Sequence, residues 1–427
     1  MYQGGIMAKI LISPLGVGGR FKESDKSDRE YQEACYHIDS KPYPKSRFVA
    51  SVLYEHFKLD GIVFIGTVKS MWEEVYRFFS EKNSRELDES YWLSLAEKID
   101  NLNYNSSLDS LDLEQVRQVL GERSECILIN YGLNQDELWK NFDKIIKVID
   151  SLEKGDEIYL DITHSFRSLS VFQFITMTFI KELLSEKEIS IAGVYYGMLD
   201  VTRELGYTPI VDLNPLFELT SWVKGTYSLK NYGNGDLIAE LLNNQGEENL
   251  SSRIKQLSQA ININDVTAIK QNSSYLKTAL SLPIKKSPFT YIKGILDNFV
   301  QKFTRSARSE SAFQLDLAEW YFENHRYATG YITLTEAIIT YLCEINHKDI
   351  IAESDRKQMK DLLHHPDNKG RELAKLYFMV NPIRKSIAHA LIDTKKASYS
   401  DAITNAKTYL QKAQRIFKTG TLGNLER

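Results

Sequence analysis

Cysteine is scarce in this sequence: Cys35, Cys126 and Cys343 are the three in 427 residues, far apart and without the paired spacing that holds zinc. Their scarcity excludes a disulfide scaffold and fits a reducing compartment, in which each is expected to be a buried thiol. No run approaches the roughly 18 apolar residues of a membrane-spanning helix, and no membrane partner is expected. The start of the chain lacks the basic and then apolar pattern of a signal peptide, so a cytoplasmic location is expected. Met7, ahead of Ala-Lys-Ile-Leu-Ile, reads as a natural start that leaves six dispensable residues. Low-complexity tracts, the dinucleotide-binding fingerprint and the Gly-Lys-Ser/Thr of a P-loop are absent as well.

What is present is an ordinary globular composition, 43% hydrophobic, long enough for two or three domains. The net charge of −4 hides an asymmetry. Residues 371–427 hold eleven Lys or Arg against four Asp or Glu, a net of +7, which leaves −11 for residues 1–370. A basic tail steers polyanions, although lysines on a helical surface are more commonly just solvated.

Short apolar runs alternate with helical periodicity through the first half. Lys9 to Ser13 reads as a strand breaking into Pro-Leu-Gly-Val-Gly-Gly, where Gly16 and Gly18 let backbone approach a ligand. Val49, Val52, Leu53, His56 and Phe57 mark an amphipathic helix, with His56 at the edge of the core. Further strands are expected at 61–66, 126–130, 158–160, 190–196 and 209–213, the first of them followed by Thr67, Ser70, Met71 and Trp72. Strands alternating with helices predict a doubly wound α/β sheet, with ligands at the carboxyl ends of its strands. The densest polar cluster, Asp161-Ile-Thr-His-Ser, follows the strand at 158–160 and opens a helix from about Phe166 to Leu184. Asp161, Thr163, His164, Ser165 and Arg167 would line a crevice there. The plainer reading makes Ser165 an N-cap and leaves Asp161 solvated.

Three runs taken in order, Ile10-Leu-Ile-Ser-Pro-Leu-Gly, Phe64-Ile-Gly-Thr-Val-Lys-Ser-Met-Trp-Glu and Asp161-Ile-Thr-His-Ser, resemble the CRISPR-associated proteins carrying the Asp-x-Thr-His-Gly motif. Ser165 stands here where that family usually has Gly. The resemblance spans about residues 7–213. It implies a Rossmann-like CARF domain over 1–213 that pairs about a two-fold axis and binds a cyclic oligoadenylate, the tetra-adenylate favoured and the hexa-adenylate possible. Its contacts would come from Gly16, Gly18, Thr67, Ser70, Met71, Trp72, Thr163, His164, Ser165 and Arg167. A two-fold pair of identical half-sites suits a ligand with rotational symmetry.

Residues 214–311 read as a helical connecting region, with Pro283 and Pro288 marking a plausible boundary. The rest, 312–427, reads as all-α: Leu334, Ala337, Ile338, Tyr341 and Leu342 keep helical spacing, as do Ala402, Ala406, Tyr409, Ala413 and Ile416. Between these helices lies Asn381-Pro-Ile-Arg-Lys-Ser-Ile-Ala-His, in which Asn381 suits an N-cap and Pro382 the first helical position, placing Arg384 and His389 near a helix start. With 18 Arg and 8 His in the chain, an Arg-to-His spacing of this kind arises about once by chance. In its all-helical, basic setting behind a CARF-like half, however, the Arg-x4-His resembles the motif of HEPN ribonucleases. The segment Leu317-Ala-Glu-Trp-Tyr with Glu336-Ala resembles the first helices of such domains, while Lys385 departs from the small polar residue usual after the Arg.

That resemblance implies an α/β Rossmann-like (CARF) domain followed by an all-α HEPN domain. It implies a homodimer, or a higher homo-oligomer of dimers, acting as an activator-dependent, metal-independent endoribonuclease on single-stranded RNA in type III CRISPR antiviral defence, with Arg384 and His389 catalytic. On an ideal helix those two side chains point about 140° apart, so they would converge only through a distorted helix or across a dimer. The competing class is a non-enzymatic ligand-sensing regulator that binds DNA or a partner. A third reading is an enzyme that only degrades the activator. His364-His365 before Pro366 reads as a loop.

Overall fold

The computed structural model describes residues 7–20, 29–150, 152–164, 167–184, 188–284, 287–304, 309–389 and 399–420. The chain divides into two compact units, Met1–Thr220 and Ser221–Arg427.

The described residues of the first unit form ten strands: β1 Lys9–Leu15, β2 Gly19–Arg20, β3 Arg29–Glu30, β4 Ala34–Ile38, β5 Lys41–Ser46, β6 Gly61–Gly66, β7 Glu125–Leu128, β8 Glu157–Asp161, β9 Ser190–Gly197 and β10 Thr208–Asp212. Eight form one sheet in the order β5-β4-β10-β9-β8-β1-β6-β7, and β2 and β3 pair as a small separate ribbon. From β7 to β9 every pairing is parallel, while β10 runs antiparallel to β9 and β5 antiparallel to β4.

The centre of the sheet is legible in its side chains. Parallel strands covered by helices on both faces bury every position, and β6 is buried from end to end. Leu11 and Phe64 enter the core on one face, and Ile10, Ile12, Val63 and Ile65 the core on the other. The outer hairpin was not anticipated. Its strand β4 alternates buried Ala34, Tyr36 and Ile38 with half-buried Cys35 and His37, and Asp39 and Ser40 make its turn at positive φ. Pro42 and Pro44 belong on β5 because it is an edge strand, where missing N–H groups weaken no ladder. The thiols correct one expectation: Cys343 is buried, whereas Cys35 and Cys126 lie on outer strands and are only half-buried.

The second unit is helical throughout its described residues. Helices Asp236–Asn244, Glu248–Ile263, Val266–Leu280 and Phe289–Phe303 enclose one core together with Trp222 and Leu229. Helices Tyr327–Ile345, Glu353–His364, Glu372–Ala388 and Tyr399–Thr419 enclose another. Helix Glu310–Glu323 supplies Phe313, Leu317, Trp320 and Tyr321 to the first and Leu315, Ala318 and Phe322 to the second. Two of its sides are covered, and Asp316, Glu319 and Glu323 make up the side that is not. Among the described residues no helix is long and apolar enough to cross a membrane.

Candidate functional site

After the β4–β5 hairpin at the far edge, the chain places β6 and β7 on one side of β1 and then β8 and β9 on the other, so the order of these strands reverses between β1 and β8. Open α/β sheets hold their ligands at such a switch point, beyond the carboxyl ends of the strands. A buried carboxylate sits on it. Asp161, at the end of β8, accepts from the Ser13 hydroxyl of β1 (2.8 Å) and from the Thr163 N–H (2.9 Å), which rules out a solvated role. Thr163 Oγ1 in turn accepts from Gly197 N–H at the end of β9 (2.8 Å).

The loop after β6 is locked to the loop after β1. Ser70 donates to Leu15 O (2.7 Å) and accepts from Thr67 N–H (2.9 Å), Trp72 Nε1 donates to Thr67 O (2.9 Å), and Met71 N–H donates to Gly16 O (3.1 Å). Thr67, Ser70, Met71 and Trp72 are all buried, so their side chains make a floor rather than reach outward. Gly18 completes the join: its φ is +71°, and a Cβ there would lie 2.6 Å from Met71 Sδ. Gly16, Gly18, Thr67, Ser70, Met71, Trp72, Thr163 and His164 are thus gathered at one edge of the sheet. Ser165 lies outside the described residues. Arg167 opens the helix Arg167–Leu184.

His164 is the unusual member. Its ring stacks on Tyr31, centroids 4.5 Å apart and planes at 27°, and its Nε2 has no hydrogen-bond partner among the described residues. Burial holds its pKa below the ordinary value, and the Asp161 carboxylate pulls it partway back. The unfolded chain therefore binds the extra proton more readily. The stability contributed by a neutral His164 is present above the unfolded pKa of about 6.5 and is lost as pH falls below it. The urea midpoint should accordingly drop between pH 7.5 and 5.5, and His164→Gln should flatten that slope. An unchanged slope in the variant would show that other groups carry it.

In the helical unit the structure corrects the placement of the second candidate pair. Arg384 and His389 lie at the end of a helix, not its start: Glu372–Ala388 runs straight through Pro382, and His389 is its C-cap. A proline inside a helix costs about 3 kcal/mol. Here the buried face Leu373, Leu376, Tyr377, Val380 and Ile383 outweighs that cost by continuing across it. Lys385 is exposed, and so is His389.

Arg384 is half-buried and approaches Glu336 Oε1 at 3.8 Å, while the other oxygen of Glu336 is bound by Arg356. Arg356 also donates to Ile350 O (2.8 Å) and Thr340 Oγ1 (3.2 Å), so it is fixed on three sides. Tyr377 lies against the same charges: burial pushes its hydroxyl up, and Arg384 pulls it down. Sequence reasoning singled out Glu336 without its role and missed Arg356, for which no local signal exists. His364 ends the helix Glu353–His364 and packs edge-on against Phe378 (5.0 Å), while His365 pairs with Asp367 (3.3 Å). No group of three or more His, Cys, Asp or Glu among the described residues is arranged to hold a metal ion.

Comparison with known proteins agrees with this architecture. Residues 10–200 match the CARF domain of the CRISPR system endoribonuclease Csx1, and residues 218–310 match the second domain of the CRISPR-associated protein MJ1674. Over 411 residues the chain is 36% identical to CRISPR-associated protein MJ1674 of Methanocaldococcus jannaschii, an alignment that takes in 91% of this chain. The chain spans 63% of that relative's length. A solved structure of Enterococcus italicus Csm6 bound to cyclic hexa-2′-fluoro-hexa-dAMP resembles it at a TM-score of 0.36 and 12% identity, covering 96% of this chain and 94% of the other, too loosely to pair residues. Over its switch-point sheet the chain is similar to the CARF domain of Csx1, and over most of its length to a CRISPR-associated protein.

Proposed function

We propose that this protein is a cytoplasmic ribonuclease switched on by a cyclic oligoadenylate. The activator is seated on the edge formed by Gly16, Gly18, Thr163 and His164, with Ser165 and Arg167 completing the contacts. The cleavage is carried out by the helical region as a HEPN-type site. The observation that carries the reading is Arg384, held at a helix end by a carboxylate that Arg356 has already fixed, with His389 exposed one turn beyond it. The match of residues 10–200 to the CARF domain of an endoribonuclease supports it.

RNA brings its own nucleophile. The 2′-OH loses a proton as its oxygen attacks phosphorus, and the departing 5′-oxygen gains one, leaving a 2′,3′-cyclic phosphate and a 5′-OH. Histidine, which changes charge near neutral pH, suits the proton transfer, and the planar, permanently charged guanidinium suits the phosphorane oxygens. No metal is required by this chemistry.

The five-residue offset turns Arg384 and His389 away from each other, so the working cleft is a composite of two protomers. A surface suited to pairing exists on the first unit. Val171, Ile175 and Phe179 make an apolar stripe down the helix Arg167–Leu184, each more than half exposed, and edge-on aromatic contacts continue it through Phe142 to Trp139 on the helix Gln135–Asp150. Activator and cleaving geometry must then stabilise each other to the same degree.

Purified protein incubated with labelled single-stranded RNA, a chelator and either cyclic tetra- or hexa-adenylate should cleave only when one of the two is present. Cleavage independent of both, or none with either, would overturn the reading.

A further inference from the structure

Tyr31 ties together every loop of the proposed activator site. It follows β3 directly, donates its hydroxyl to Gly16 O (3.0 Å), stacks on His164, and meets Phe48 edge-on at 5.2 Å. Gly16 O is shared with Met71 N–H, so one phenol is linked to the loops after β1, β6 and β8. Tyr31 and His164 are each only 9% exposed.

This arrangement is closed but incompletely satisfied. A ring face stacked on an imidazole contributes dispersion and quadrupole attraction, yet it cannot bond to a nitrogen in the imidazole plane. Among the described residues His164 Nε2 is left without a hydrogen-bond partner, a condition that buried polar atoms seldom tolerate without a functional reason. The imidazole, held neutral beside the Asp161 carboxylate, is a flat, desolvated platform of the kind on which a purine stacks. A nucleotide could take the stacking place with its base and reach the orphan nitrogen with a hydroxyl. Tyrosine can do only the first.

We infer that Tyr31 occupies on His164 the stacking place of one adenine base, so that an activator must displace it and Tyr31 sets the concentration at which the protein responds. The inference rests on the cyclic oligoadenylate reading above. It makes Tyr31 an internal competitor rather than a ligand contact.

The test is calorimetric titration of the full chain and two variants, Tyr31→Ala and Tyr31→Phe, with cyclic tetra-adenylate and cyclic hexa-adenylate, without RNA. Removing the competitor should tighten binding of the recognised activator about tenfold in Tyr31→Ala, the scale of a lost aromatic pair. Tyr31→Phe keeps the stack and loses only the bond to Gly16 O, so it should tighten binding by about two- to threefold. It also serves if the alanine variant fails to fold. Equal or weaker binding by both variants than by wild type overturns the inference while leaving the sensor reading standing. Binding of neither cyclic compound by any of the three proteins overturns both.

Discussion

Arg384→Ala and His389→Ala should each lower activator-dependent RNA cleavage by about 10²- to 10⁴-fold, the range typical of removing a positioned proton-transfer group or a donor to developing charge. Activator affinity, measured without RNA, should stay at the wild-type value. Arg384→Lys should recover little, because an ammonium cannot present two parallel N–H groups to phosphate oxygens. The composite cleft adds a sharper expectation. Neither variant alone retains both side-chain types, but a mixed dimer of the two carries one intact Arg384 and one intact His389, and should cut faster than either parent. Rates at the wild-type level for either single variant would remove these residues from the chemistry. A mixed dimer no faster than its parents would remove the shared cleft.

Asp161→Ala should show the second large effect, this time on stability and activator binding together. The carboxylate joins β8 to β1 through Ser13 and orients the Thr163 N–H. Its loss leaves a buried hydroxyl and a backbone donor unpaired, a cost of about 2–4 kcal/mol if each is worth roughly 1–2. The urea midpoint should fall accordingly, and activator affinity should fall by more than tenfold because the loop bearing Thr163 and His164 is no longer held. Asp161→Asn keeps an oxygen for the Thr163 N–H while weakening the Ser13 contact, so it should lie between the two. A wild-type midpoint in Asp161→Ala would show that the switch point is held together by something else.

The central sheet was legible because its physics is local. Strands β1 and β6 are buried on both faces and must be apolar throughout, and the helix Val49–Phe57 shows its stripe directly. The hairpin β4–β5 goes unread in the sequence although Ala34, Tyr36 and Ile38 alternate inward, because prolines fit a strand only at an edge position that the folded sheet reveals. The candidate ligand loops could be placed on one edge from strand order alone. That Met71 and Trp72 are floor and not surface, and that Tyr31 covers His164, depend on packing between distant segments. Asn381-Pro382 reads as a helix start on local grounds. Tertiary burial overrode it, moving Arg384 and His389 from the positive end of a helix to the negative end, where a cation is better placed.

The helix Glu310–Glu323 carries a consequence for descent. A wall whose two faces belong to two different cores cannot be inherited with either one alone. An exchange that replaced everything after residue 323 would have to match half of a shared surface, and one that replaced everything before residue 310 would have to match the other half. The helices on both sides therefore change together or not at all. Drift in Phe313 or Trp320 is answered within residues 222–303, and drift in Leu315 or Phe322 within residues 327–416.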